Sequence, residues 1–503
     1  MRRLLPLFLA LVLTLTACGG PGAGSVSFSG SGSSDHTSQA PSQQPVDIPF
    51  ALAAYPAYSF HPALAENRAN LTLAPLLYEP LFQVDETFQA VPVLCQSYTA
   101  SEDKLAWTFT LRAGVTFSDG AALTGAAVAD ALNLARQPGS RYAQRLADVT
   151  AVTAGDGTVT VTLSRPNGDL PALLDIPIAL GQGTRPAGTG PYTLAGTEET
   201  PRLIARSDWW QAKPLPAQEI SLFSVDRADD LISSFASGDA GLVDVDMMGT
   251  NALGYSGNYE TWDYATTDFL YLGFNTQSGL CQRAEVRQAL AKAIDRDAIA
   301  QVDYARHAEP TALPVHPDSP LYDQALAKAL SYDPTAAAEE LETLRAAGRS
   351  LTLLVNSENT AKAGAAQRIA RQLEAAGIKV TVTALPFDSY AAALTKGNFD
   401  LYLGEVVLTA DFDLTALLSP TGTLNYGRWQ DPQAEPLLSA LRGGQGEARK
   451  TAAAALFAHL NLQVPIAPIC FKNGSVLTQW GRVSGLTPVR SNVFYHLEGW
   501  TIQ

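Results

Sequence analysis

Cysteine is scarce in this chain: four residues in 503, at Cys18, Cys95, Cys281 and Cys470. So few exclude a scaffold built on disulfides, and without a CxxC pair the common structural zinc sites are excluded too. The six histidines are scattered, and none shows an HxH or HxxxH spacing that would hold a metal. Basic residues are short, with 34 Lys and Arg against 49 Asp and Glu, a formal charge of −15. Without a basic cluster, nucleic acid is not expected as a partner. GxSxG, HExxH and Walker A signatures are missing, so neither an enzyme nor a cofactor is expected. No apolar run reaches the roughly 20 residues that a membrane-spanning helix needs. What is present is 46% hydrophobic against 17% charged residues. That composition can bury cores in about two to four compact units.

The start of the chain speaks of its compartment. Arg2 and Arg3 precede LLPLFLALVLTLTA at 4–17, the length of the apolar segment of a secretory signal. It ends in LTACG at 15–19, which resembles a bacterial lipobox, with Cys18 the lipidated first residue after a signal peptide of 1–17. Residues 18–45 are rich in Gly, Ser, Pro and Gln and read as a flexible tether. The expectation is an extracytoplasmic protein lipid-anchored to the cell membrane. Several acyl chains hold such an anchor stably. The acidic body repels an anionic membrane, which makes the lipid more necessary.

The body reads as α/β. Residues 351–355 form a β-rich run, 360–376 a helix with Ile369 and Leu373 on one face, and 378–383 an alternating strand. Gly377 stands where a left-handed cap is expected. Strand, helix and strand at this spacing predict a βαβ crossover and a parallel sheet. Val286, Leu290 and Ile294 predict one helix over 285–300. Residues 107–112 and 158–163 alternate as strands, the second after the turn at 155–157.

Six stretches, in order, carry a family resemblance. They are LLYEPLF at 76–82, WTFTLRAGVTFSDG at 107–120, GTGPY at 188–192, LGFNTQSGLCQRAEVRQALAKAIDRDAI at 272–299, GIKV at 377–380, and the FD…ADFD element from Phe399 to Asp413. Over about 47–503 the chain resembles the bacterial ABC-transporter solute-binding proteins of the peptide/nickel (dipeptide and oligopeptide) family, family 5. The resemblance implies a two-lobed periplasmic-binding-protein fold of class II type with an inserted subdomain and a ligand cleft between the lobes. The expected division is lobe I at 46–85, 186–270 and 484–503, an inserted subdomain at 86–185, and lobe II at 271–483. It implies a monomeric receptor that captures short peptides, closes on them, and delivers them to an ABC permease and ATPase complex. The same fold holding an oligosaccharide, an opine-like compound or a metal chelate is the nearest alternative. A surface adhesin or sensory lipoprotein without transport is another.

Most motif residues have structural roles to fill. Asp119 and Gly120 suit a β-turn before a helix. Arg287, Asp295 and Arg296 suit ion pairing on their helix, and Gly188 to Pro191 a tight connection between lobes. Asp411 carries the sharpest functional reading. In peptide-binding relatives, the aspartate of the matching AD element pairs with the ligand's α-amino group, a charge-assisted contact once water is excluded. The segment 400–411 is about two residues longer here and lacks the relatives' tryptophan, so the pocket should differ. Asp413 suits the cap of a helix at 414–418. Phe412, Tyr402, Tyr426, Trp429 and Tyr58 are candidates for the pocket wall, and Tyr78 shares that status; each suits a core position equally. Cys281 and Cys470 are either a disulfide at the base of lobe II or two buried thiols.

Overall fold

The computed structural model describes residues 50–250 and 254–503. The lipobox at Cys18, the signal peptide and the tether lie outside the described residues. Among those described, no helix is long and apolar enough to cross a membrane.

Eleven strands make one mixed sheet. In chain order they are β1 (Ala51–Ala54), β2 (Tyr192–Ala195), β3 (Arg202–Ala205), β4 (Glu219–Ser224), β5 (Leu242–Val245), β6 (Tyr259–Phe274), β7 (Ala308–Pro310), β8 (Ser350–Asn356), β9 (Lys379–Leu385), β10 (Leu401–Val407) and β11 (Ile466–Gln479). Their order across the sheet is β2-β3-β4-β1-β5-β11-β6-β10-β8-β9, with β7 against β11. The two long strands, β6 and β11, run antiparallel and are shared by both halves. Their first partners differ along their length: β5 pairs with 475–478 of β11, whereas β10 pairs with 268–274 of β6. The pairing of β6 with β11 is interrupted between Ala265 and Asp268. That bulge lies where β6 takes up its second partner, β10, from Asp268 onward. Opposite it on β11 lie Lys472 and Asn473, and β11 continues unbroken to Gln479.

Separate cores follow this division. Leu52, Leu76, Tyr192, Leu222 and Val476 pack in lobe I. Leu272, Leu290, Leu353, Ile369 and Ile469 pack in lobe II. The inserted subdomain folds a four-stranded antiparallel sheet around Trp107, Phe109, Val159 and Val161. Its strands Ala106–Leu111 and Thr158–Leu163 pair antiparallel, and the turn that the sequence predicts at 155–157 joins the second of them to the strand Val149–Gly155. A further core spans the seam: Phe88 and Ala172 join Phe412, Leu414 and Phe471. The parts touch closely enough that residues 48–503 form one compact unit.

Helix α1 (Arg68–Leu77) covers lobe I and helix α2 (Ala228–Ser237) follows β4. The GTGPY glycines pack on α1, where a Cβ on Gly188 would overlap the backbone of Leu77. In lobe II the predicted βαβ unit is present as β8, helix α4 (Thr360–Ala375) and β9, after helix α3 (Ala284–Lys292); β8 and β9 are parallel. Gly377 has φ +93°, as its cap position requires. The single helix expected over 285–300 is broken instead. Asp295 leaves the helix and accepts from Ala298 N at 2.9 Å, starting a new turn. Ion pairing of Arg287 and Arg296 is also corrected. Arg287 donates to the carbonyls of Cys281, Gln282, Gln463 and Val464, and Arg296 to those of Pro468 and Leu330. Carbonyls take all three nitrogens of Arg287, whereas the buried Nη2 of Arg296 has no hydrogen-bond partner. Cys281 and Cys470 are free and buried in one core, so the disulfide is not formed.

Candidate functional site

The carboxyl ends of β1 and β5 in lobe I point to the crossing, as do those of β8 and β10 in lobe II. Open α/β sheets bind ligands outside such strand ends. Between the lobes three structures meet: a cavity in lobe I, an ionic floor, and a seam around Asp411.

The lobe I cavity holds about 420 Å³ and is lined by Tyr55, Asn67, Arg68, Asp244 and Asp246. Arg68 grips Asp244 with two hydrogen bonds, at 3.1 and 2.9 Å, and Tyr264 donates to the same carboxylate at 2.8 Å. Tyr58 lies on the loop after β1, half exposed, edge-on to Tyr55.

The floor is set by Lys472, buried at the crossing. Its Nζ lies 2.8 Å from Asp268, 2.7 Å from Glu405 and 3.3 Å from Asp246. Lys362, near the start of α4, adds a second ammonium 3.8 Å from Glu405. Burial raises Asp268 to about 6 despite Lys472, with Glu405 adding to the rise. Burial opposes the charge on Lys472, yet the three carboxylates hold its pKa above the ordinary lysine value. Asp246 is the lobe I member of this group, so its contact with Lys472 ties the lobes. Asn359 does the same on one side, donating to Met248 O at 3.2 Å.

The seam brings the inserted subdomain onto lobe II. Residues 409–412 make a tight turn, Phe412 N donating to Thr409 O at 2.9 Å with Phe412 at φ +51°. This turn directs Asp411 inward, where only 3% of it is exposed. Its carboxylate accepts from Thr409 Oγ1 and, across the seam, from Asn167 Nδ2 at 2.9 Å. Asn167 Oδ1 in turn accepts from Asp169 N at 2.7 Å. Gly168 N donates to Arg442 O at 2.7 Å, backbone against backbone. Arg449, on helix α5 (Glu447–Gln463), donates to the main-chain oxygen of Asp411 and lies 3.8 Å from Asp169. A cavity of about 380 Å³ opens here, lined by Phe88, Asp169, Asp411, Phe412 and Arg449 among others. Burial raises Asp169 to about 6; Arg449 opposes the rise and Asp411 adds to it. The cavity thus carries two carboxylates, Asp169 and Asp411, against the Arg449 guanidinium and the ammonium of Lys450, which pairs with Glu447 at 2.7 Å.

Of the sequence candidates, Asp411 and Phe412 line this cavity. Tyr402 and Trp429 are buried and Tyr426 packs partly buried beside them, all in the core of lobe II that continues to Phe412. Tyr402 stands edge-on to Tyr271, Phe399 and Tyr426. Tyr58 stands apart, on the lobe I side. Tyr78 is buried in the lobe I core. Asp413 accepts from Thr415 N at 2.9 Å, an Asx turn leading into the helix Thr415–Leu418, whose N-cap is Leu414 and not Asp413 as expected. Asn167, Asp169 and Arg449 were not singled out in the sequence; the run Pro166-Asn167-Gly168-Asp169 reads only as a turn. Among the described residues, no group of three or more His, Cys, Asp or Glu is arranged to hold a metal.

Comparison with known proteins agrees with this architecture. A family model described as bacterial extracellular solute-binding proteins, family 5 Middle, matches residues 89–425. The chain is 29% identical over 418 residues to the glutathione-binding protein GsiB of Pectobacterium atrosepticum, covering 76% of this chain and 80% of that one. Among solved structures it is similar to HbpA2 from Haemophilus parasuis, with TM-score 0.76 and 19% identity over 91% of this chain and 99% of that one. It is also similar to NikA from Brucella suis in complex with Fe(III)-EDTA, with TM-score 0.70, 19% identity and the same coverage. Both likenesses are of fold, the two-lobed arrangement.

Proposed function

The chain belongs to the bacterial extracellular solute-binding proteins of family 5, and from that membership we propose that it is the capture receptor of an ABC importer for short peptides, glutathione-like ones included. The observation that carries this reading is Asp411: a buried carboxylate at the seam of the inserted subdomain and lobe II, lining a cavity and held by the neutral donors of Asn167 and Thr409 instead of a positive charge. A ligand ammonium would supply that charge, and contacts on both walls would favour the closed arrangement. The relative GsiB, by name a glutathione-binding protein, supports a peptide ligand. Binding makes and breaks no covalent bond. The permease and its ATPase would take the ligand from the closed form. We place the anchor at Cys18 and the division into lobes at the crossings of β6 and β11, with a monomer as the working unit.

The test uses residues 46–503. Calorimetry and small-angle scattering with mixed di- and tripeptides should give heat and compaction; neither would refute the peptide reading. Asp411→Ala should weaken binding at least tenfold, measured by titration, and an unchanged affinity removes Asp411 from the site. Labelling with a radioactive fatty acid should mark the intact chain and spare Cys18→Ala.

A further inference from the structure

The peptide reading leaves open which side chains the receptor accepts. The lobe I cavity bears on this. It lies between helices α1 and α2 at the carboxyl ends of β1 and β5, and its wall is mostly aliphatic and aromatic: Leu52, Leu73, Leu231 and Val245, with the rings of Tyr55 and Tyr255. At about 420 Å³ it has room for one large side chain. Three charged residues line it, Arg68, Asp244 and Asp246, and each is already paired. Arg68 holds Asp244 at 2.9 Å, and Asp246 meets Lys472 at 3.3 Å. The cavity thus offers a guest apolar contact, and its charges are spent on one another. It opens towards the second lobe: Gly249 lines it and also lines a space of about 410 Å³ between Met248 of lobe I and Val302 and Thr360 of lobe II. The approaches are apolar as well. Val407 ends β10, Phe387 follows β9, Tyr58 follows β1, and Val302 lines the space between the lobes, each more than half exposed. Exposed apolar side chains gathered at strand ends where ligands enter, not scattered singly, mark a binding surface.

Resting on the peptide reading, we propose that the lobe I cavity is the specificity pocket of the receptor and takes a large, uncharged apolar side chain of the bound peptide, such as that of leucine or phenylalanine. Moving such a side chain from water onto the aliphatic wall favours binding in proportion to the area covered. A small side chain leaves that wall uncovered. A charged one gives up its water and meets Arg68, Asp244 and Asp246 with their charges already matched. Selection therefore works from both sides, by apolar contact for the right side chain and by desolvation against the wrong one. Glutathione carries no large apolar side chain, so the receptor should bind it less tightly than hydrophobic peptides of the same length.

The experiment titrates residues 46–503 with trileucine, trialanine, trilysine, triaspartate and glutathione by calorimetry. Each homotripeptide offers one side chain at every position, so the result does not depend on which position enters the cavity. The expected result is at least tenfold tighter binding of trileucine than of any of the others. A smaller advantage, or a preference for trialanine, a charged peptide or glutathione, overturns the proposal while leaving the peptide reading in place. If none of them binds, the proposal fails, and the absence of heat with mixed peptides would show that the peptide reading fails with it. Ala228, exposed at the start of α2, lines the cavity. Ala228→Trp should fill it and bring trileucine to within about threefold of trialanine; a preserved tenfold preference would show that this cavity does not select the side chain. The comparison on the unaltered protein stands even if that variant does not fold.

Discussion

Gly168 shows how much one missing side chain can matter at the seam. A Cβ there would fall within the van der Waals reach of the Gly444 carbonyl oxygen, in a place where two backbones meet. Gly443, one residue away from that partner, has its nearest atom at an ordinary 3.7 Å, on Pro166. Gly168→Ala should therefore push the subdomain from lobe II, costing about 1–3 kcal/mol as an overpacked contact. Gly443→Ala, at the end of a helix, should be neutral or add about 0.5 kcal/mol by limiting the unfolded chain. Denaturant melts of the two variants, with affinity measured alongside, check this: equal effects would mean that the seam has slack. The contrast also shows what is legible from residue types. Asp411 could be found because its neighbours form a motif. Asn167 could not, because it meets Asp411 from 244 positions away and its own surroundings spell only a turn. Arg449 sits on a helix with ordinary periodicity, and nothing local shows that two of its donors go unused.

At the scale of elements, the best-predicted unit is the one whose determinants are all local. The β8-α4-β9 crossover has alternating strands, a helix with a defined apolar face and a glycine in the left-handed cap, each a matter of a few neighbouring residues. The passage of the long strands from one half of the sheet to the other has no such local determinants. Where β11 passes from one lobe to the other is decided by partners about 200 residues earlier, 242–245 on one side and 308–310 on the other. A strand buried on both faces gives no change of pattern at that point. The broken helix after Lys292 is an intermediate case, since Asp295 as a capping residue was visible but the apolar spacing ran through it. The crossing carries a titratable clip. His307, just before β7, places Nδ1 2.9 and 3.1 Å from the carboxylate oxygens of Asp263 on β6, which also accepts from Ser475 on β11. The bond to Asp263 raises His307 above its ordinary 6.5, burial opposing it. Asp263 is held below 3.8 by His307 and Ser475 in spite of burial. The histidine's contribution is then complete below pH 6.5 and is lost as pH rises through its folded value. The aspartate's is present above pH 3.8 and lost as pH falls through its own. The clip should be strongest between about pH 4 and 6.5. Thermal melts should show wild type losing about 0.5–1 kcal/mol more than His307→Asn between pH 6 and pH 8. Parallel curves would show that the pair contributes nothing.

For the whole molecule, the question is what balances the open and closed arrangements. The two lobes share a sheet through only two strands, so hinge motion at Thr266, Thr267, Lys472 and Asn473 disturbs few hydrogen bonds. The polar contacts that oppose opening are Asn359 to Met248, Asp246 to Lys472, and Asn167 to Asp411, the last beside the apolar core that spans the seam. Of these, the Lys472 cluster distinguishes closure from stability. Asp246 is its only lobe I carboxylate, and Lys472 keeps Asp268 and Glu405 without it. Asp246→Asn should thus leave unfolding within about 1 kcal/mol of wild type, while the ligand-free protein becomes less compact in scattering and binds about three- to tenfold more weakly. Lys472→Met should behave differently. It leaves three carboxylates facing one another around a buried position, a loss of about 3–5 kcal/mol. Asp268 is already raised to about 6, and removing the ammonium raises it further. The folded state of that variant then binds more protons than the unfolded chain near neutrality, so its stability should recover as pH falls from 7.5 towards 5. A pH-independent deficit would locate the loss in packing and not in charge. Normal compaction in Asp246→Asn would mean that the seam and the Asn359–Met248 bond suffice to hold the lobes together.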